Sequence, residues 1–447
     1  MVSQTAKRPA VFLAPIDICG IYSCLTRGLR EIGCRADFLS LGVDKNGSWD
    51  DGESDLPVRC FSRLHRRVAD EGFREGSWLT HNIDKIQYVL VQVWLLAWVL
   101  LTYEVFILKS GLFIGLWGLD IKLLKLFRKK VIVIFQGSDS RPPFMRPILD
   151  GESPEDLRRL TRETKARVDH AWSFADVIID NPLASHNHAR RCCLYQVVGI
   201  VIDEEKLQPG RAAEAANDMD NQDGVRILHA PSSPKLKGTD RIRTCISGLR
   251  EKGYQIDYVE ISGRPNHEVL QEIVRSDIVI DELYSDLHGA VFATEACAFG
   301  KPVIVCGYGK KHLDRFVPES MSLPTVFVAS QEFEVGLERL INDQDRWSQV
   351  GDAAAEFFSE FASGGRAAER LLTIATGEAP AEWFFDPLEV VYVEGVGAEK
   401  TKIAANIAKL VDAYGQDALL LDHHPLLRDA VLDFMRDHRP ATQLDVA

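Results

Sequence analysis

The sequence lacks an excess of basic residues, which excludes one broad class of partner. Its 447 residues include 65 acidic and only 52 basic side chains, giving a formal net charge of -13 at pH 7 and a pI near 5.5. Nucleic-acid-binding surfaces need a basic face to neutralise phosphates, so nucleic acid is not expected as the main partner. A small anionic ligand held by a few local cations is compatible with this balance.

The nine cysteines lack the spacing of metal-binding or redox motifs. No C-x-x-C pair occurs; Cys192 and Cys193 are neighbours, and the others are scattered. Neither a zinc site nor a thioredoxin-like motif is therefore expected. An odd number of irregularly spaced thiols fits the reducing cytoplasm.

Neither of two apolar segments has the form of a targeting or membrane-spanning sequence. The N-terminal run is broken by Pro15 and Asp17, which predicts a first buried strand rather than a signal peptide. The very apolar segment Tyr88 to Leu101 is about 14 residues long, short of the roughly 20 that a membrane span requires. It predicts a buried core helix; the alternative is a membrane-facing helix of a peripheral protein.

The length predicts two or three domains, and the 46% hydrophobic and 26% charged residues are typical of soluble globular proteins. In the first half, AVFLAPI, RADFLSL, YEVFILKSG, KKVIVIFQGSD and ADVIIDNP alternate with helical patterns. In the second half, VRILHA, YQIDYVEIS, DIVIDEL and KPVIVCG do the same more clearly. This alternation predicts an α/β fold with two Rossmann-like, doubly wound parallel-sheet domains.

A polar, acidic segment at residues 206–224 predicts a linker between the two domains. It separates an N-terminal domain, residues 1–205, from a C-terminal domain, residues 225–379. Residues 380–447 form an extension for which we expect docking or oligomerisation; its EGVGAEKTK segment lacks the spacing of a phosphate loop. Ligands of α/β sheets bind at the carboxyl ends of strands, so we expect the site in a cleft that the two domains face.

The loop HAPSSPKLKGTD lies between a predicted strand and a helix that begins near Thr239 or Asp240. Donors near a helix N-terminus favour an anion. Lys235 and Lys237 add full charges, and Gly238 permits close approach of the backbone. The loop therefore predicts a diphosphate site; the alternative is a solvated basic turn.

The stretch DELYSDLHGAVFATEACAFGKPVIVCGYG places a glycine turn before another helix. Gly289 and Ala290 leave room for phosphate oxygens at the helix N-terminus. Glu295 is flanked by apolar residues, so its carboxylate is expected to be partly buried and to need partners. Two adjacent hydroxyls, such as those of a ribose, would supply them.

In this order, KLKGTDR, SDIVID and GAVFATEACAFGKPVI resemble the C-terminal domain of retaining nucleotide-sugar glycosyltransferases of the two-Rossmann-domain (B-type) fold, the "glycosyl transferases group 1" family. More loosely, APIDICGIYSCLTRGLREIG, VIVIFQGSDSRP and ADVIIDNPLASH resemble the N-terminal domain of that family, which we expect on the acceptor side. The resemblance covers about residues 9 to 375. It implies transfer of a sugar from a UDP- or GDP-linked donor to a glycan, lipid-linked or protein acceptor in polysaccharide biosynthesis, with retention and without a metal or other cofactor.

The resemblance also implies roles for individual residues. Lys237 would bind the donor diphosphate and Glu295 the ribose hydroxyls, and Gln136 ends a strand where the family often has a histidine that contacts the sugar; these three are the candidate catalytic residues. Lys235 is expected to replace an arginine that the family often has at Ser232. The candidate donor-binding residues are Gly20, Ser232, Lys235, Lys237, Gly238, Gly289, Ala290, Val291 and Glu295.

Other polar residues carry weaker expectations. The segment Glu260 to Arg264 is expected to help hold the base. Asp139 and Arg141 either shape the cleft or form a strand-end cap and salt bridge. For His186 and His188, on a loop or helix start, structural and functional roles are both open. The segment Asp422 to His424 predicts a polar turn rather than a metal site, and no metal ligands are expected.

Some positions depart from the family pattern. Leu287 stands where many members carry a first glutamate, Gln136 replaces the histidine, and Lys109 replaces a histidine-rich pattern. Two alternatives to the transferase therefore stay open: a catalytically degenerate binding partner or scaffold, and a nucleotide-sugar epimerase. We expect a cytoplasmic protein, peripheral at the inner face of the membrane if the basic stretch Arg59 to Arg74 contacts anionic headgroups, and a homo-oligomer if the extension mediates one.

Overall fold

The structure is a computed structural model that describes residues 8–42, 54–71, 78–116, 118–147, 152–202, 204–215 and 224–439. The chain divides into two compact units. Unit 1 comprises Met1–Gln136, Arg167–Ile179 and Gly364–Trp383, and unit 2 comprises Gly137–Ala166, Asp180–Ser363 and Phe384–Ala447.

The strands of the described residues are β1 (Val11–Ala14), β2 (Ala36–Phe38), β3 (Val105–Lys109), β4 (Lys130–Ile134), β5 (Val177–Asp180), β6 (Cys192–Leu194), β7 (Val225–His229), β8 (Ile256–Glu260), β9 (Ile278–Ile280), β10 (Val303–Gly307), β11 (Val326–Ala329) and β12 (Phe384–Phe385). The α-helices are α1 (Ile21–Glu31), α2 (Leu56–Glu71), α3 (Trp78–Thr102), α4 (Leu119–Leu126), α5 (Pro154–Trp172), α6 (Tyr195–Val198), α7 (Glu204–Ala215), α8 (Pro234–Lys237), α9 (Thr239–Glu251), α10 (Asn266–Arg275), α11 (Val291–Ala298), α12 (Lys310–Phe316), α13 (Phe333–Asn342), α14 (Gln344–Phe357), α15 (Gly364–Thr376), α16 (Lys400–Tyr414) and α17 (Pro425–His438).

A seven-stranded sheet has the strand order β12-β6-β5-β4-β3-β1-β2. Within it, β2, β1, β3, β4 and β5 are parallel, with Val11 opposite both Ala36 and Val105. The short strand β12 pairs antiparallel with β6. All residues of β1 and β3 are buried, as expected for parallel strands covered on both faces.

Unit 2 contains a five-stranded parallel sheet in the order β11-β10-β9-β7-β8. Neighbouring residues of β7 point to opposite faces. Leu228 packs with Leu270 of α10 and Ala296 of α11, whereas Ile227 packs with Ile246 of α9. Helices thus cover both faces, and the predicted α/β class with two doubly wound parallel sheets is confirmed.

The C-terminal extension begins with β12 and continues into α16 and α17. These two helices pack in one apolar cluster with Phe144, Met145 and Leu157 of the same unit. The segment LEVVYVEGVG forms no strand; a 3-10 turn at Pro387–Glu389 precedes irregular backbone. In the predicted linker, residues 206–215 belong to helix α7, and residues 216–223 lie outside the described residues.

Helix α3 spans 25 residues and is therefore longer than the apolar segment from which it was predicted. Its part Ile83–Thr102 is, by length and composition alone, apolar enough to cross a membrane, and 28% of that part is buried. Leu95 and Val99 are fully buried, but Leu90 and Leu101 are 63% and 80% exposed. The predicted core helix is therefore buried on one face only.

Candidate functional site

The candidate site lies where two loops leave neighbouring strands of the unit 2 sheet. Strands β7 and β9 are adjacent and parallel. The chain leaves β7 towards β8 on one side and leaves β9 towards β10 on the other. Such a point of reversal is where ligands bind in open α/β sheets, outside the carboxyl ends of the strands. The lysine-containing loop and the segment before α11 both start at this point.

Gly238 fixes the position of Lys237 at the end of α8. Its backbone is left-handed, with φ of 76°, a conformation that glycine adopts readily. A Cβ atom added to Gly238 would lie 3.0 Å from side-chain atoms of Leu283. The backbone N–H of Leu283 also donates to the carbonyl of Lys237, at 3.2 Å. A glycine here therefore lets the lysine loop pack directly on the chain that follows β9.

The ammonium group of Lys237 lies between two carboxylates. Its Nζ atom is 3.0 Å from Oδ1 of Asp281 and 2.8 Å from Oε2 of Glu282. The lysine side chain is only 16% exposed. Burial disfavours its charge, but Asp281 and Glu282 outweigh burial and raise the pKa of Lys237 above its ordinary value. Lys237 is thus cationic across the physiological pH range.

Asp281 joins Lys237 to the start of helix α11. While one carboxylate oxygen contacts the lysine, the other accepts a hydrogen bond from the backbone N–H of Ala290, at 2.9 Å. Asp281 itself is 1% exposed. The predicted diphosphate loop and the predicted donor helix are therefore connected through a buried carboxylate. Sequence reasoning missed Asp281 and Glu282, although two acids directly after a buried strand mark the carboxyl edge of a parallel sheet.

Glu295 lies in the second turn of α11 and is 7% exposed, as its apolar flanks predict. The side-chain amide of Asn266, at the start of α10, donates to Oε1 of Glu295 at 2.9 Å. Burial raises the pKa of Glu295 to about 7, although the bond from Asn266 opposes the shift. This carboxylate has a single amide partner among the described residues, so it can accept further hydrogen bonds. Asn266 was not predicted.

The remaining candidates of unit 2 lie on the same two loops. A Cβ atom on Gly289 would lie 2.7 Å from both Ala293 and Leu323, so packing within the protein already requires a glycine there. Val291 begins α11. Ser232 and Lys235 are exposed on the loop after β7.

The expected base-binding segment is anchored at both sides. Both carboxylate oxygens of Glu260 accept from Arg243, at 2.9 and 2.6 Å. The hydroxyl of Ser262 donates to the carbonyl of Pro231 at 3.1 Å. The loop after β8 is therefore tied to the loop after β7, and the carboxylate of Glu260 is used within the protein.

Gly20 and Gln136 belong to unit 1. Gly20, with φ of 81°, precedes α1 on the loop after β1. Gln136 follows β4, and its Oε1 atom is buried without a hydrogen-bond partner among the described residues. Both residues follow carboxyl ends of parallel strands.

The other polar residues form internal contacts of unit 2. Arg141 pairs with Asp286, which favours the structural alternative for Arg141. His188 contacts Asp180 at 2.9 Å and is fully buried. His186 donates from Nε2 to the carbonyl of Tyr392 at 2.8 Å, and burial lowers its pKa to about 4. Neither histidine is therefore placed as an exposed acid or base.

The segment Asp422 to His424 forms a turn, as expected. The Nδ1 atom of His424 accepts from the backbone N–H of Leu427, at 3.3 Å, at the start of α17. The described part of the chain holds no group of three or more histidine, cysteine, aspartate or glutamate side chains that could bind a metal ion.

No protein-family model matches the chain, and no curated protein matches it either. Among solved structures it is similar to the catalytic domain of starch synthase IV from Arabidopsis thaliana bound to ADP and acarbose, at 12% identity and a TM-score of 0.48, over 83% of this chain and 100% of that one. It is also similar to sucrose-phosphate synthase from Thermosynechococcus elongatus, at 12% identity and a TM-score of 0.48, over 83% of this chain and 99% of that one. A third similar structure is Anabaena HepE in complex with UDP and glucose, at 13% identity and a TM-score of 0.45, over 83% of this chain and 100% of that one. Likenesses of this size assign no activity or site residue to this chain.

Proposed function

We propose that this chain is a glycosyltransferase that uses a nucleotide sugar, and that the donor diphosphate binds at Lys237 beside the start of α11. The observation that carries this proposal is the buried connection Lys237–Asp281–Ala290 at the reversal point of the sheet. An ammonium group has three N–H donors. Two of them serve Asp281 and Glu282, which leaves one for a phosphate oxygen.

The proposed chemistry needs no nucleophile from the protein. The bond between the anomeric carbon and the diphosphate oxygen breaks, and the acceptor oxygen forms a new bond on the same face of that carbon. The proton of the acceptor hydroxyl passes to the leaving diphosphate. Lys237 and the first-turn amides of α11 stabilise the charge that develops on the phosphate, so we propose a metal-independent reaction with retention.

Two further residues are assigned roles in this proposal. Glu295 accepts hydrogen bonds from the ribose hydroxyls, which its buried position and single amide partner support. Gln136, in unit 1, stays a candidate residue for the sugar, which its buried Oε1 atom without a hydrogen-bond partner among the described residues supports. The base is held near residues 260–264, and both UDP and GDP are candidates.

A binding protein without catalysis is a second candidate, and one observation favours it. Two carboxylates within 3.0 Å of Lys237 more than neutralise the single charge that would attract a diphosphate. In this alternative the ion pairs are structural, and neither donor turnover nor nucleotide binding is expected.

We also propose a cytoplasmic location at the inner face of the membrane, with a lipid-linked glycan acceptor. The exposed apolar face of α3 supports this proposal. Helix α2, which packs on α3 through Phe61 and Tyr88, carries Arg63 and Arg66 for anionic headgroups. We also propose that the C-terminal extension mediates a homo-oligomer.

The test is a donor screen followed by a transfer assay. Nucleoside diphosphates are screened by thermal shift, where a ligand at about 100 times its dissociation constant stabilises the fold by roughly 2.7 kcal/mol. Donors with the selected base are then assayed for transfer and hydrolysis in EDTA. Binding with turnover supports the transferase, binding without turnover shows a degenerate enzyme, and the absence of any binding contradicts both nucleotide-dependent roles.

A further inference from the structure

A pocket of unit 2 lies beside the start of α11. It is formed by the chain that follows β6, the residues just before α11 and the turn that follows α14. Its volume is about 50 Å³, and its mouth is open to solvent. Its apolar wall consists of Leu287, Met321, Leu323, Phe357, Phe361 and Ala362.

One polar side chain of this pocket has no partner. Gln196 lines the pocket and is 8% exposed. Neither its Oε1 atom nor its Nε2 atom has a hydrogen-bond partner among the described residues. Buried amides in proteins are nearly always paired. The amide of Gln196 therefore points to a ligand that supplies both an acceptor and a donor.

The pocket borders the proposed diphosphate position. Leu287, His288 and Gly289 line it. The next residue, Ala290, donates its backbone N–H to Asp281, which holds Lys237. In a nucleotide sugar, the group bonded directly to the diphosphate is the sugar. A substituent of that sugar is thus the part of the donor nearest to this pocket.

We propose that the pocket selects a donor whose sugar carries an N-acetyl group; this inference rests on the proposed function. The carbonyl and N–H of a trans amide point in opposite directions, so one glutamine cannot pair with both. Instead, Nε2 of Gln196 donates to the acetamido carbonyl, and Oε1 accepts from a neighbouring sugar hydroxyl. The acetyl methyl group contacts the wall formed by Leu287 and Leu323.

The size of the pocket supports this class of substituent. A single water needs roughly 10–15 Å³ of such volume, so about 50 Å³ admits a group of about four non-hydrogen atoms. A lipid chain is too large for a pocket of this volume. A bare hydroxyl would pair with the Gln196 amide but would leave the apolar wall unfilled.

The experiment uses sugar 1-phosphates, because they carry no base. N-acetylglucosamine 1-phosphate and N-acetylgalactosamine 1-phosphate are compared with glucose 1-phosphate and galactose 1-phosphate, by NMR saturation transfer and by titration. We expect at least one N-acetylated compound to bind about tenfold more tightly than its hydroxyl counterpart, with the strongest saturation on the acetyl methyl group. Equal affinity of both pairs, or no binding of any compound, would overturn the inference.

Variants test whether Gln196 causes the preference for N-acetylated sugars. Gln196→Leu removes an unpaired amide and is expected to fold normally, to lose the tenfold preference and to bind nucleoside diphosphate unchanged. The control Gln416→Leu changes an exposed glutamine of the extension and should keep the preference. A preference that survives in Gln196→Leu contradicts the assignment. Failure of the proposed function has a different signature, namely no nucleoside diphosphate binding by the wild type.

Discussion

The Nζ atom of Lys237 lies 3.0 Å from Oδ1 of Asp281, and Oδ2 of the same carboxylate accepts from the backbone N–H of Ala290. The two residues are 44 positions apart in the chain. Their contact brings the loop after β7 and the start of α11 together at the carboxyl edge of the sheet. Both segments were predicted to bind a diphosphate, and the structure joins them through a residue that neither prediction contained.

Glu282 is expected to compete with the diphosphate for Lys237. Unlike Asp281, its carboxylate has no second hydrogen-bond partner among the described residues, and it is 14% exposed. Glu282→Gln removes one negative charge beside the phosphate position. We expect nucleoside diphosphate affinity to rise roughly tenfold, about 1.4 kcal/mol, in calorimetry.

The matched control for that variant is Glu338→Gln, because Glu338 contacts Lys252 together with Glu334 on the surface. It repeats the arrangement of one lysine and two carboxylates away from the site and should leave affinity unchanged. A loss of affinity in Glu282→Gln would show that Glu282 positions the lysine rather than competes with the ligand.

Gly238→Ala is expected to destabilise the fold and to weaken nucleotide binding. The alanine would keep an unfavourable left-handed φ, and its Cβ atom would lie 3.0 Å from Leu283. We expect the free energy of unfolding, measured with urea, to fall by about 1–3 kcal/mol. Gly253→Ala is the control, since Gly253 also has positive φ but its Cβ would meet nothing within 4 Å. Equal costs for the two variants would show that backbone conformation alone matters.

Much of this arrangement follows from the sequence. The runs VRILHA, YQIDYVEIS, DIVIDEL and KPVIVCG became β7 to β10, because strand-length apolar runs between helical patterns are typical of the buried strands of a parallel sheet. The two loops of the site were found for the same reason, since both follow such strands. The ion pairs were not found, because no local pattern indicates which distant side chain a lysine will meet.

Helix α3 shows a second limit of sequence reasoning. Its segment YVLVQVWLLAWVLL is apolar on all faces, so periodicity cannot tell which face packs against the protein. The structure buries Leu95 and Val99 and exposes Leu90 and Trp94.

The strands β11 and β12 were not predicted from the sequence either. The two-residue strand β12 exists only through its pairing with β6.

The exposed face of α3 predicts membrane binding. Leu90→Ser together with Trp94→Ser removes apolar surface that is 63% and 44% exposed, so the fold should be unaffected. Binding to vesicles of phosphatidylcholine and phosphatidylglycerol should fall at least tenfold in sedimentation assays. Val335→Ser, at a half-exposed position of α13, should bind like the wild type. Equal binding of all three proteins contradicts the proposed contact.

Burial of Glu295 predicts a pH dependence of stability. Its pKa is raised from 4.5 to about 7 in the folded protein, so the folded state retains a proton that the unfolded state has released. The contribution of this group to the free energy of unfolding is therefore complete below pH 4.5. It is lost as pH rises through about 7, and the loss amounts to up to about 3 kcal/mol.

Glu295→Gln should lack this loss in urea unfolding at pH 5 and pH 8, whereas Glu356→Gln, at an exposed position, should retain it. Parallel pH profiles of the wild type and Glu295→Gln would argue against a buried proton.

The central claim is that Lys237 binds the donor diphosphate, and calorimetry of UDP and GDP with Lys237 variants tests it most directly. Lys237→Met should weaken binding of the selected nucleotide at least thirtyfold, about 2 kcal/mol, and Lys237→Arg should restore most of it. Lys252→Met, which removes a surface lysine with two carboxylate partners, should change nothing. Circular dichroism checks that Lys237→Met is folded, because the buried Asp281 loses its partner. If folded Lys237→Met binds the nucleotide as tightly as the wild type, the diphosphate does not lie at Lys237.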